Sequence, residues 1–192
     1  MPNIERLREF VGLAAAAVTE NVANEDAILA AIRPGLHDLL RHDDFLAEAY
    51  AKPHPQYYQQ YLLYGDPLEK LSIVSFVWGP GQKTPVHNHQ TWGLVGVLRG
   101  AELNTAYCTQ NGKLQPGPTT RLMAGEIEVV SPRLGDIHQV SNAYTDRVSI
   151  SIHVYGGNIG RIKRKVFVPE TGMVKSFVSG YAPCPTPNLW AG

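Results

Sequence analysis

Two hydrophobic periods divide this chain. Over residues 4–51 the apolar positions recur at helical spacing, Ile4, Leu7, Phe10 and Val11, then Ile28, Ala31 and Ile32, which gathers them on one face of a 3.6-residue turn. Asn24, just before Glu25 and Asp26, suits a helix N-cap, because its side-chain oxygen can accept from an unpaired first-turn N–H. Pro34-Gly35 is expected to break that helix. The pattern predicts a lead-in of two to four helices over 1–52. After Lys52-Pro53-His54-Pro55 the period falls to two, and strands are expected over 71–78, 93–99, 103–108, 126–130, 137–141, 148–155 and 163–168, separated by turns rich in Gly, Pro and Asn. Short, evenly spaced strands suit a barrel or jelly roll, here over 57–170. The final residues, 171–192, carry the Pro-rich sequence of an extended surface tail.

The 192 residues are 44% hydrophobic, enough for one ordinary domain, and a single domain over 1–192 is the expectation. Seventeen basic residues balance seventeen acidic ones, so charge gives no reason to expect nucleic acid or an anionic membrane as a partner. A small neutral or singly charged ligand fits better, and a homo-oligomer is compatible with the composition. The first residues show no apolar leader, and no stretch reaches transmembrane length. Cys108 and Cys184 are too few for a disulfide framework, so a cytoplasmic chain with reduced thiols is expected.

The candidate chemistry lies at the turns between strands. In the run from Gly81 to Gly93, His87 and His89 stand two residues apart, which in a strand puts both rings on one face, within reach of one metal ion. Seven His in 192 residues give a chance His-x-His in roughly a quarter of such chains, so the pair needs support from its surroundings. About fifty residues on, Pro132-Arg133-Leu134-Gly135-Asp136-Ile137-His138 reads as a turn entering a strand and offers a third imidazole. Three His without a carboxylate leave the metal open, since imidazole suits Zn, Cu, Fe and Ni, and a catalytic Zn with three His and a water competes. His37, His42 and His54 fall in the lead-in or a Pro-rich loop and are set aside. Ser149-Ile150-Ser151-Ile152-His153-Val154-Tyr155 alternates without fault; on pattern alone the polar face of that strand belongs in solvent. By the same logic Arg161-Ile162-Lys163-Arg164-Lys165 reads as a basic strand edge.

These segments resemble the paired motifs of the cupin superfamily, small jelly-roll barrels with G-x5-H-x-H-x3-E-x6-G followed by G-x5-P-x-G-x2-H-x3-N. The first matches from Gly81 to Gly100 in every spacing, with Gly93 in place of the Glu. The second fits at Gly135, His138 and Asn142, with one extra residue on each side of Pro132. Within the cupins, His87, His89, Trp92, Gly93, His138, Ser151, His153 and Tyr155 make the chain similar to the thiol dioxygenase family of cysteine dioxygenase type I.

That resemblance implies a mononuclear non-haem Fe(II) cofactor on His87, His89 and His138, with Gly93 vacating the carboxylate position. It also implies Ser151, His153 and Tyr155 beside the iron, and O2 with a small thiol as substrates. Arg164 resembles the arginine that bacterial mercaptopropionate dioxygenases use for the substrate carboxylate. Gln60 stands where mammalian-type enzymes have an arginine, which favours 3-mercaptopropionate, with L-cysteine second and mercaptosuccinate also possible. In the mammalian-type enzymes a cysteine at the place of Gly93 becomes joined to the active-site tyrosine; Gly93 leaves Tyr155 a free phenol. The competing readings are a Zn or Mn cupin hydrolase or isomerase, a cysteine dioxygenase, and a non-catalytic cupin that only binds a ligand.

Overall fold

A computed structural model of the chain describes residues 2–110 and 112–191. Two helices lead, α1 (Ile4–Glu20) and α2 (Glu25–Leu40), followed by a single 3-10 turn at Glu48–Tyr50. Asn24 caps α2 as expected, its side chain accepting from the Ala27 N–H at 3.1 Å. The expected break at Pro34 does not occur: Pro34 lies inside α2. A proline in a helix interior costs about 3 kcal/mol. Leu36, Leu39 and Leu40, all buried beyond it, recover about 1.5 to 3 kcal/mol each by leaving water, so continuing the helix wins.

Among the described residues eleven strands follow, β1 (Gln59–Gly65), β2 (Ser72–Trp78), β3 (Val86–His87), β4 (Gly93–Arg99), β5 (Ala101–Gln110), β6 (Lys113–Met123), β7 (Ile127–Val130), β8 (His138–Asn142), β9 (Ser149–Tyr155), β10 (Arg164–Val168) and β11 (Met173–Phe177). They form two antiparallel sheets, ordered β1-β2-β9-β4-β7 and β11-β10-β3-β8-β5-β6. This is the mainly β cupin barrel with a helical lead-in that the sequence predicts. Four strands were not anticipated. β3 has only two residues, and β6 contains Pro116 and Pro118, which it tolerates because it is an edge strand. β1 carries little alternation, and β11 falls in the segment expected as an extended tail, pairing there with β10.

The helices cover the outer face of the first sheet. Ile73 and Val77 of β2, Leu94 and Leu98 of β4, and Ile150, Ile152 and Val154 of β9 form one apolar cluster with Leu7, Phe10, Ile32 and Leu36. Gly96 permits this approach, since a Cβ there would stand 2.5 Å from Leu40 Cδ1. With its outer face dry, the sheet turns its other side chains into the barrel: Val74, Phe76, Trp78, Val95 and Tyr155 pack there with Val140 and Ile159. Every residue of β9 is buried. The polar face that pattern alone would put in solvent is inside, as the family resemblance implied, because helices occupy the side that water would otherwise wet. Among the described residues, no helix is long and apolar enough to cross a membrane.

Candidate metal centre and its cavity

Strand register assembles the three histidines. His87 on β3 lies directly opposite His138 on β8, and His89 follows two residues later, past the strand end. The three ring centroids are 4.8 to 5.0 Å apart, and one ligand atom from each lies within 4.8 Å of the others. Hydrogen bonds orient two of the rings. His87 Nδ1 is 3.0 Å from the Pro85 carbonyl, and His138 Nδ1 is 2.8 Å from Asn104 Oδ1. Both partners only accept, so each Nδ1 carries the proton and each Nε2 keeps a free lone pair. Asn104 is in turn held by Glu128 through its amide nitrogen, so a carboxylate fixes the amide that fixes the ring.

Asp136 anchors the third. Its Oδ2 accepts from the backbone N–H of His89 at 2.7 Å and of Gln90 at 3.2 Å, tying the loop after β3 to the turn before β8. The His89 ring nitrogen at 3.7 Å from that oxygen is beyond hydrogen-bonding range. Burial is the main reason all three imidazoles are weak bases: the pKa of His87 is pushed down to about 3, that of His89 is lowered, and that of His138 lies well below its ordinary value. Burial thus favours the uncharged imidazole at all three, the form a metal ligand must take. His138 Nε2 is buried without a hydrogen-bond partner. A divalent transition metal satisfies that orphaned atom, so the residues fit such an ion.

On the facing strand, Ser151 Oγ is 2.7 Å from His153 Nε2, and His153 Nδ1 is 2.8 Å from Tyr155 Oη. Trp78 Nε1–H donates to the same Ser151 Oγ at 3.2 Å, while Phe76 stacks on His153 with centroids 4.0 Å apart. Tyr155 stacks beside His89 at 5.6 Å. Burial, first among its causes, drives the His153 pKa well down and raises that of Tyr155 above its ordinary value, so both are neutral. Gly93 is required by Tyr155: a Cβ at position 93 would lie 2.7 Å from Tyr155 Cδ1.

A cavity of about 530 Å³ holds these groups, with His87, His89, His138, His153, Tyr155, Arg164 and Gln60 all in its wall. Of the basic run, Arg161, Lys163 and Lys165 are exposed and Arg164 is 4% exposed. Side chains alternate between faces along β10, so Arg164 points inward where Lys165 points out. Its Nη2 donates to Ser179 Oγ at 2.6 Å, its Cζ sits 4.6 Å over the Phe177 ring, and its Nε has no partner. Gln60 Nε2 donates to the same Ser179 Oγ at 3.0 Å and to the Gly180 carbonyl. Its amide nitrogen therefore holds the C-terminal segment rather than standing free for a ligand. That segment, expected on the surface, forms a cavity wall through Ser179, Gly180, Tyr181 and Ala182.

Sequence reasoning missed Asn104, Glu128, Asp136, Trp78 and Ser179. Asp136 had a signal, being inside the second motif. Ser179 had none, since it stands in a Pro-rich stretch without period.

Residues 17–165 match the family model of cysteine dioxygenase type I, and the chain belongs to that family. Its members are iron-dependent thiol dioxygenases, and the three-His cluster has the form of a mononuclear metal site. Similar solved structures include a protein with a double-stranded β-helix domain from Klebsiella pneumoniae, 20% identical over 62% of this chain and 88% of that one, TM-score 0.47. An RmlC-like cupin from Desulfovibrio desulfuricans is 22% identical over 60% and 93%, TM-score 0.42. An oxalate oxidase in complex with glycolate is 19% identical over 62% and 63%, TM-score 0.46.

Proposed function

We propose that this protein is an Fe(II)-dependent thiol dioxygenase that adds both atoms of O2 to the sulfur of a small thiol carboxylate, giving a sulfinic acid, with 3-mercaptopropionate its favoured substrate. The observation that carries the substrate assignment is the buried guanidinium of Arg164, the one guanidinium among the described residues lining the same cavity as the three imidazoles. Held by His87, His89 and His138, iron would supply a 2+ charge and open positions for a thiolate and O2.

The remaining roles belong to the chain's own side chains. Arg164, with an unpartnered Nε, offers a planar donor pair that matches a carboxylate. Gln60 and Ser179 set its position without adding charge. Tyr155 presents a neutral hydroxyl to the cavity, oriented by His153 and Ser151 behind it. The aromatic wall of Tyr58, Phe76 and Trp78 keeps water from the reacting sulfur and strengthens every polar contact inside.

Charge matching favours 3-mercaptopropionate. No acidic side chain is among the described residues lining the cavity, so the ammonium of L-cysteine would meet a guanidinium and a metal ion with no carboxylate to balance it. The second carboxylate of mercaptosuccinate would likewise lack a second guanidinium. The experiment is O2 uptake by the iron-loaded protein with each thiol in turn. The expected order of kcat/KM is 3-mercaptopropionate, then cysteine, then mercaptosuccinate; equal or reversed values would remove the charge argument. Thiol binding without O2 uptake would favour a ligand-binding cupin.

A further inference from the structure

One hydroxyl in the cavity wall has a hydrogen to spare. The residues after β11 join no described strand, yet they are fastened against the barrel. The Ala182 N–H donates to the Gln60 carbonyl at 2.8 Å, and the Gly180 N–H donates to the Gly160 carbonyl at 3.0 Å. The Tyr181 hydroxyl accepts from the Gly160 N–H at 3.0 Å and donates to Asn158 Oδ1 at 2.7 Å. Gly160 makes room for that ring, since a Cβ there would stand 2.4 Å from Tyr181 Cε2. These bonds hold residues 180–182 in place and so set Ser179, the residue before them, beside Arg164 and Gln60.

We propose that Ser179 is a substrate-contacting residue. Its hydroxyl donates to the substrate carboxylate, so that Arg164 and Ser179 grip that group together, one from β10 and one from the C-terminal segment.

Donors and acceptors, counted atom by atom, carry the assignment. Ser179 Oγ has one hydrogen and two lone pairs. Arg164 Nη2 reaches it at 2.6 Å and Gln60 Nε2 at 3.0 Å. A guanidinium can only donate, so the first lone pair is taken. The orientation of the Gln60 amide follows from its other partner: the same atom faces the Gly180 carbonyl, which only accepts. That atom is therefore the nitrogen, and it donates to Ser179 as well. With both lone pairs filled, the Ser179 hydrogen points away from Arg164 and Gln60, and among the described residues it has no acceptor. Ser179 is exposed and belongs to the cavity wall, which turns this hydrogen to the open mouth.

The guanidinium beside it is equally short of acceptors. Ser179 Oγ is its one hydrogen-bond acceptor among the described residues, Nε has no partner, and no acidic side chain lines the cavity there. An O–H and several N–H groups stand together with nothing to receive them, which is what an anion with two acceptor atoms supplies. The span of a carboxylate lets one oxygen accept from the second Nη2–H while the other accepts from Ser179 Oγ–H, a bidentate contact shared between two residues. A ligand with no acceptor at that position makes neither bond.

The inference rests on the proposed reading of Arg164 as the carboxylate site, so binding is measured apart from turnover. Zinc(II), which imidazole also binds and which does no redox chemistry, replaces iron in the whole chain. Calorimetry then gives the dissociation constants of 3-mercaptopropionate and of 1-propanethiol, which keeps the thiol arm and lacks the carboxylate; their ratio is the carboxylate selectivity. Ser179→Ala should lower it, and Ser179→Thr, which keeps the hydroxyl, should restore it. The deciding comparison is made in Arg164→Met. If Ser179 only positioned Arg164, its loss there would change nothing, because the group to be positioned is gone. A direct hydrogen bond persists, so adding Ser179→Ala to Arg164→Met should lower the selectivity by roughly 3- to 10-fold more, as expected for one hydrogen bond at a partly wetted site. No further loss in the double variant overturns the proposal, as does a wild-type protein that does not prefer the acid. Iron-loaded protein that takes up no O2 with any thiol, while the zinc-loaded protein shows the Ser179-dependent selectivity, would overturn the dioxygenase reading and leave the shared grip standing. An active enzyme whose kcat/KM for 3-mercaptopropionate is the same in Ser179→Ala as in wild type would do the reverse.

Discussion

Replacing Arg164 by Met tests the substrate assignment at the point where the structure gives a magnitude. The guanidinium is 4% exposed, so a carboxylate paired with it has left water and depends on that pairing. A hydrogen bond to a charged group contributes about 1.5 to 3 kcal/mol. At about 1.4 kcal/mol per factor of ten, its loss should lower kcat/KM for 3-mercaptopropionate by roughly 10- to 150-fold. Met keeps the apolar stem that packs on Phe177, and Ser179 keeps its bond from Gln60, so the wall should hold. The assay is O2 uptake with 3-mercaptopropionate beside its uncharged amide, 3-mercaptopropionamide. Wild type should strongly prefer the acid, and Arg164→Met should not, with kcat/KM for the amide within about twofold of wild type. Arg164→Lys should fall between, because an ammonium restores charge without the planar donor pair. Equal losses on acid and amide would refute the reasoning and return Arg164 to a purely structural role.

Further outcomes follow from the geometry. His138→Ala should fail to retain iron by metal analysis, and Asn104→Leu, which frees the His138 ring, should weaken metal affinity by about 10- to 100-fold in chelator competition; unchanged affinity in Asn104→Leu would remove the orienting role of that amide. Gly93→Ala should displace the Tyr155 ring, which a Cβ would approach to 2.7 Å, and so reduce kcat more than iron content; unaltered kcat would contradict the close packing. Cys108 is exposed and Cys184 partly buried, both free and neither in the cavity wall, so intact mass should show no loss of two hydrogens after incubation with iron, thiol and O2. Burial raises the pKa of Glu102 and favours its neutral form in the fold, so its contribution to stability is present below pH 4.5 and lost as pH rises to about 7. By linkage this amounts to about 3 kcal/mol, and urea denaturation of metal-free protein should show Glu102→Gln gaining on wild type by that order across the same window; parallel curves would mean the carboxyl is not held neutral.

Spacing read together with the cupin motifs pointed to the three histidines, because a period of two and a turn are local properties. Their supports were hidden for the opposite reason: Asn104 reaches His138 through the pairing of β5 with β8, and Glu128 reaches Asn104 from β7 in the other sheet, neither of which a local pattern encodes. β9 shows the limit most plainly. Its alternation was legible to the residue, yet the direction of its polar face was not, since that depends on two helices some hundred residues earlier covering the other side. Pro34 misled because a local rule priced the lost hydrogen bond and could not see Leu36, Leu39 and Leu40 settling on the sheet. Arg164 was pointed out by likeness to a family. Among its basic neighbours, nothing local marked it as the one that turns inward.

The full burial of β9 bears on how such a protein could evolve. Ile150, Ile152 and Val154 hold the helices while Ser149, Ser151, His153 and Tyr155 line the barrel interior, so a random change anywhere in the strand damages either folding or reactivity, and the two cannot be traded against each other there. Selection for a new thiol has more freedom in the segment around Ser179, which touches Arg164 and Gln60 yet belongs to neither sheet. A library varied at positions 178–183 should therefore yield altered substrate preference among folded members far more often than one varied across β9, where most members should be lost before preference can be measured.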